Sequence, residues 1–119
     1  MPNKSIKLIE CPRDALQGLH KIVSTQDKIT YYQNLLQVGY DTLDCGSFVS
    51  PKAIPQMADS SNVIKGLDLS QTNTKLLTIV ANERGALAAV TFDTISYLGY
   101  PFSVSENFQM RNTAKTISE

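Results

Sequence analysis

The sequence has no tryptophan, one histidine (His20) and two cysteines (Cys11 and Cys45), and neither sign of charge predominates among its eleven basic and eleven acidic residues. Each shortage excludes something. Without a basic excess there is no electrostatic footprint for nucleic acid, so no nucleic-acid partner is expected. Two cysteines are too few for a disulfide framework, and a lone histidine rules out a His-paired zinc site within these 119 residues. Both cysteines are expected as buried, reduced thiols, and His20 as an exposed loop residue. No apolar run approaches the roughly 20 residues that cross a bilayer, so no membrane partner is expected. Met1-Pro2-Asn3-Lys4 leads directly into an apolar run without a signal-peptide pattern, which makes the cytoplasm the expected location.

What is present is an alternation of strand-like and helix-like stretches. Ile6 to Ile9 reads as a strand stopped by Pro12, which cannot donate to a sheet ladder. Ser24 or Thr25 caps a helix whose Ile29, Tyr32, Leu35 and Leu36 share one face, with Gly39 ending it. Tyr40 to Cys45 reads as a second strand, and a proline-stiffened loop runs from Ser47 to Met57. Asp59 or Ser60 caps a short helix through about Lys65. Lys75 to Val80 is a continuous apolar strand of the kind buried on both faces. Arg84 to Phe92 is helical, Thr94 to Leu98 is a fourth strand, and a last helix is expected from near Thr113, still running at Glu119. Four βα units in series imply an α/β fold with a parallel sheet and right-handed crossovers.

In such a sheet every strand's carboxyl end lies on one rim, where ligands bind. Arg13 and Asp14 follow the first strand, Asp44 and Ser47 the second, Asn82 the third, and Ser105 and Asn112 the fourth. Arginine offers a fixed positive fork for carbonyl or carboxylate oxygens, and aspartate a hard anionic oxygen for a divalent cation. The plain alternative is a set of polar turns with a surface ion pair.

Arg13-Asp14-Ala15-Leu16-Gln17, Ser47-Phe48-Val49-Ser50-Pro51-Lys52 with Ile54-Pro55-Gln56-Met57, and Ser105-Glu106 with Asn112 resemble hydroxymethylglutaryl-CoA lyase. The resemblance covers nearly the whole chain, and the segment from Ser47 to Met57 is its most specific part. It implies a metal-dependent (β/α)₈ barrel that splits 3-hydroxy-3-methylglutaryl-CoA into acetyl-CoA and acetoacetate, the chemistry of leucine degradation and ketone-body formation. It also implies Mg or Mn as cofactor, an acyl-CoA substrate, and a full-length enzyme compatible with a homodimer. Carried over by residue, Asp14 matches a metal ligand and Arg13 the arginine that stabilises the enolate-like oxygen of the product. Gln17 and Ser47 match pocket-lining positions, Asn112 a substrate-side asparagine, and Asn82 joins them as a rim residue. Asp44 stands where the family usually has glutamate, as a shorter carboxylate to orient a metal-bound water or Arg13. Leu16 fits lyases, whereas the related condensing synthases usually carry an acid there. Such a cleavage needs a base for the alcohol proton, a cation for the oxygens and a positive group for the departing enolate; no residue here is an obvious base.

A closed barrel takes about 250 residues, and four βα units are half of eight. Residues 1–119 are therefore expected as one partial barrel domain, the N-terminal half, truncated before a C-terminal half that holds the family's histidine pair, active-site cysteine and last asparagine ligand. Cys11 and Cys45 do not match that cysteine. The isolated chain is expected to be inactive, to bind the cation incompletely, and to leave its first and fourth strands with open edges. Two further readings stand beside this one: another acyl-CoA lyase or condensing synthase of the same superfamily, and a non-catalytic half-barrel that self-associates.

Overall fold

Residues 28, 32 and 36 repeat at the spacing of one helix face, and the structure buries all three: Lys28, Tyr32 and Leu36 are each no more than 2% exposed. They lie on or just beyond helix α2 (Thr25–Leu35), whose start is fixed by the Ser24 hydroxyl accepting from the Asp27 amide. The chain runs to the left-handed Gly39 (φ +95°), a conformation that glycine adopts without a Cβ penalty, before entering the sheet. The computed structural model describes residues 4–119.

Four strands make one sheet: β1 (Ile9–Glu10), β2 (Thr42–Ser47), β3 (Lys75–Ile79) and β4 (Ile95–Gly99), in that spatial order. Every neighbouring pair is parallel. The connections carry α1 (Pro12–Gln17), α2, a single 3-10 turn at Pro55–Met57, α3 (Ser60–Lys65) and α4 (Glu83–Ala89), with α5 (Glu106–Thr113) following β4. The expected α/β fold with four parallel βα units is thus present. Leu16, Tyr32, Leu36, Leu43, Cys45, Met57, Val63, Ile64 and Leu76 form the core between the sheet and its helices.

Four local expectations change. The first strand is only Ile9–Glu10, and Ile6 and Leu8 lie exposed before it. Pro12 does not merely stop the strand: it opens α1, where its fixed φ and missing N–H suit the first turn. Strand β3 is not buried on both faces. Leu76 and Thr78 are fully buried towards the helices, while Leu77 and Ile79 are half-covered. The last helix does not start near Thr113; it ends there. Ser105 caps it by accepting from the Phe108 amide, and Ala114 in the left-handed region (φ 57°) terminates it. Alanine gives little sequence warning of such a stop, because the left-handed C-terminal position is usually glycine.

The segment between β2 and α3 is anchored from beneath. Lys28 Nζ donates to the Gln56 carbonyl and pairs with Asp59 at 2.7 Å. Thr25 Oγ1 donates to Asp59 (2.6 Å). The Gln56 amide closes the other side, accepting from the Val23 amide (2.9 Å) and donating to the Lys21 carbonyl (3.0 Å). Asp59 therefore serves as a partner for Lys28 and Thr25, and makes no side-chain cap for α3. A lysine this deeply buried persists because carboxylate and carbonyl oxygens satisfy its ammonium.

The cysteines divide. Cys45 is buried, its thiol donating to the Leu77 carbonyl (3.4 Å), but Cys11 is exposed, contrary to the expectation for both. Cys11 sits at the mouth of α1, outside the core that the sheet and helices enclose. His20 is exposed in the loop after α1, as expected.

Two outcomes follow from this packing. Gly85, in the first turn of α4, lies so close to the Phe48 carbonyl that an added methyl group meets backbone oxygen. Gly85→Ala should therefore lose about 1–3 kcal/mol in urea unfolding, the reverse of the gain alanine gives in an open helix. Burial pushes the Cys45 thiol up to about 12, with the Asp44 charge adding to the effect. Iodoacetamide at pH 8.5 should modify Cys11 alone in the native chain and both thiols only on unfolding, as read by mass spectrometry; equal labelling would contradict this packing.

Candidate functional site

Strand β2 delivers two polar side chains to one face by breaking its own alternation. Residues 44 and 47 are an odd number apart and would point to opposite faces of a regular strand. The register against β3 shifts between Asp44 and Gly46, so Cys45 is an extra residue in the strand. Asp44 and Ser47 then face the same side. Gly46 faces the helices, where a Cβ would sit 3.0 Å from Ser60 Oγ. The Ser47 amide is held there, donating to Ser60 Oγ (3.1 Å), which in turn donates to the Met57 carbonyl (2.8 Å).

Asp44 meets Arg13 from the first turn of α1. Arg13 Nε donates to both Asp44 oxygens (3.1 and 3.2 Å) and Nη2 to Oδ2 (2.7 Å). Nη1 donates to Gln17 Oε1 (3.1 Å), one helical turn on. The pair is largely dry, with side-chain exposures of 16% for Arg13 and 7% for Asp44. The hydrogen bonds that Arg13 donates to the Asp44 carboxylate raise the Arg13 pKa above its ordinary value, against the opposing effect of burial. The shorter carboxylate thus reaches the guanidinium directly.

Of the five N–H bonds on Arg13, Nε, one on Nη2 and one on Nη1 are committed to Asp44 and Gln17. Two remain for a ligand. Arg13 and Gln17 line one cavity of about 580 Å³ together with Ser47, Asn82 and Asn112. All five residues expected to touch substrate share this hollow at the carboxyl rim. Ser47 is 3% exposed, and its Oγ has no hydrogen-bond partner among the described residues. Asn82 also caps α4, accepting from the Gly85 amide (2.8 Å). Asn112 arrives late in α5 rather than from a loop directly after β4.

Asp14 behaves differently. Its side chain is 77% exposed, 3.6 Å from Arg13 Nη1, and is not part of the cavity wall. Among the described residues no group of three or more His, Cys, Asp or Glu side chains could hold a metal ion. Both Asp44 oxygens are engaged by Arg13. These residues do not by themselves make a cation site, and Asp14 is a single exposed carboxylate beside them.

Sequence reasoning overlooked the supports of the site. Ser60 appeared only as a helix cap, although it holds Ser47. Lys28 was legible in principle, because a lysine at i with apolar residues at i+4 and i+8 calls for a buried partner. Lys115, which also lines the cavity, was hidden by the expectation of a helix running through it.

No protein-family model matches the sequence. Hydroxymethylglutaryl-CoA lyase from Macaca fascicularis is 37% identical over 119 residues, covering 98% of this chain and 35% of the relative. The 3-hydroxy-3-isohexenylglutaryl-CoA/hydroxymethylglutaryl-CoA lyase of Pseudomonas aeruginosa is 32% identical, with 98% of this chain and 38% of the relative covered. Among solved structures, an HMG-CoA lyase from Bacillus subtilis superposes with a TM-score of 0.89 at 33% identity, covering 98% of this chain and 39% of that one. The Acinetobacter baumannii HMG-CoA lyase, solved with coenzyme A and 3-methylmalate, gives 0.88 at 32%, covering 94% and 36%. The chain thus spans well under half the length of the proteins it matches. Across that stretch it is a homologue of the hydroxymethylglutaryl-CoA lyases and adopts the matching four-strand part of their barrel fold.

Proposed function

We propose that these 119 residues supply the N-terminal part of the active site of a carbon–carbon lyase acting on 3-hydroxy-3-methylglutaryl-CoA. The observation that carries this reading is the convergence of Arg13, Gln17, Ser47, Asn82 and Asn112 on one cavity, with Arg13 locked by Asp44. Coenzyme A in the related Acinetobacter baumannii structure supports an acyl-CoA ligand here.

Within that reading, Asp44 is a positioning residue. Its three contacts and that of Gln17 fix the guanidinium plane before substrate arrives, so the two uncommitted N–H bonds need no reorganisation as charge develops on the thioester oxygen. The dry setting of the pair strengthens that interaction relative to water. Ser47 and Asn82 bind and orient the acyl group. Asp14 contributes one ligand towards a divalent cation, Mg or Mn, whose other ligands lie outside these residues; no step is assigned to it here.

The test is a chimera in which this chain replaces the matching segment of the Bacillus subtilis enzyme. It should release acetyl-CoA and acetoacetate from 3-hydroxy-3-methylglutaryl-CoA. Arg13→Gln in that chimera should lower kcat about 100-fold or more, the scale of losing one charge-stabilising donor. A folded chimera without turnover, or an Arg13→Gln variant with undiminished kcat, would sink the proposal.

A further inference from the structure

Within the cavity wall, the Ser47 hydroxyl is buried and has no hydrogen-bond partner among the described residues, so no side-chain contact fixes its direction. One rotatable bond separates a serine oxygen from its backbone, and the place of that oxygen follows the backbone beneath it. At Ser47 the backbone has left the regular ladder. Strand β1 ends at Glu10, opposite Leu43, so the end of β2 pairs with β3 alone. The register shift between Asp44 and Gly46 interrupts even that pairing.

Ser60 supplies the hold that the ladder does not. The Phe48 amide still donates to the Ile79 carbonyl of β3 (2.8 Å), but the Ser47 amide donates to Ser60 Oγ (3.1 Å). That hydroxyl is itself fixed. It donates to the Met57 carbonyl (2.8 Å), which leaves its lone pairs for the Ser47 amide. Ser60 is 4% exposed, and a donor that loses its acceptor in so dry a place must move to find another. Room for the hydroxyl comes from Gly46, where a Cβ would lie 3.0 Å from Ser60 Oγ and 3.2 Å from its Cβ. Met57 belongs to the 3-10 turn that Lys28 holds through the Gln56 carbonyl. The Ser47 backbone is therefore tied, through one hydroxyl, to an anchored turn outside its own strand.

We propose that Ser60 is a positioning residue: acting through the Ser47 amide, it sets where the Ser47 hydroxyl stands in the cavity. Ser60 is not part of the cavity wall, so its effect on a ligand passes through Ser47. This role rests on the reading of the cavity as a substrate site. Placement within the wall matters to rate, since a misplacement of about 1 Å costs on the order of 100-fold. Phe48 remains tied to β3 without Ser60, so the expected loss is smaller, about tenfold.

Two measurements on Ser60→Ala test this. In the ¹⁵N-labelled 119-residue chain, hydrogen exchange at the Ser47 amide should speed up about tenfold more than at the Leu43 amide, the scale of one hydrogen bond. Equal acceleration at both amides, or none at Ser47, overturns the proposal, because the substitution would then act on overall stability alone. In the chimera with the Bacillus subtilis enzyme, Ser60→Ala should lower kcat/KM about tenfold. In a Ser47→Ala background the same substitution should change kcat/KM less than about twofold, because the hydroxyl it positions is gone. An equal effect in both backgrounds, whether a full loss or none, overturns the proposal. A folded chimera without turnover instead fails the lyase reading, and the exchange rates then decide whether Ser60 holds Ser47.

Discussion

The ion pair between Arg13 and Asp44 is the constraint on which the site depends. It joins the first turn of α1 to the end of β2, two elements from different βα units, by three nitrogen–oxygen contacts of 2.7–3.2 Å. A guanidinium held in this way cannot follow the ligand, so the ligand must fit the guanidinium. The bulge at Cys45 serves the same end. It brings Asp44 and Ser47 to one face, so that one strand both orients the cation and lines the cavity beside it. Burial of an ion pair is a poor source of net stability, because desolvation offsets much of the attraction. Its retention here is better explained by geometry than by folding energy.

Below the rim, the molecule is built to keep the segment from Ser47 to Met57 still. Lys28, Gln56 and Ser60 each tie it to a different neighbour, and all three are buried. The helix side of the sheet is a packed core, whereas the opposite side is only half-covered at Leu77 and Ile79. Strands β1 and β4 lie at the two ends of the sheet order, and among the described residues nothing pairs with their outer edges. Among the described residues, the cavity-lining side chains and the unpaired edges thus share the face and rim that the packed helices leave free.

Much of this was legible in the sequence, and for physical reasons. Parallel βα alternation, the Ser24 cap and the polar positions after each strand are local signals, and the structure shows each of them. So is the proximity of Arg13, Gln17, Ser47 and Asn82, because a parallel sheet puts all strand ends on one rim. What was not legible depended on tertiary detail. The α1 helix is too short for periodicity to reveal. The end of α5 rests on an alanine in a conformation usually left to glycine, which misplaced the last helix and concealed Lys115. The exposure of Cys11 follows from its place just before that short helix. The reach of the shorter acid at Asp44 could be judged only from distances.

The central claim is that Arg13 and Asp44 act as one unit rather than as two neighbouring polar residues. A double-mutant cycle measures this directly, comparing urea unfolding of the wild-type chain with Arg13→Gln, Asp44→Asn and the double variant. The account predicts a coupling of about 1–3 kcal/mol, because removing either partner strands the other in a dry setting. Strictly additive losses would contradict it.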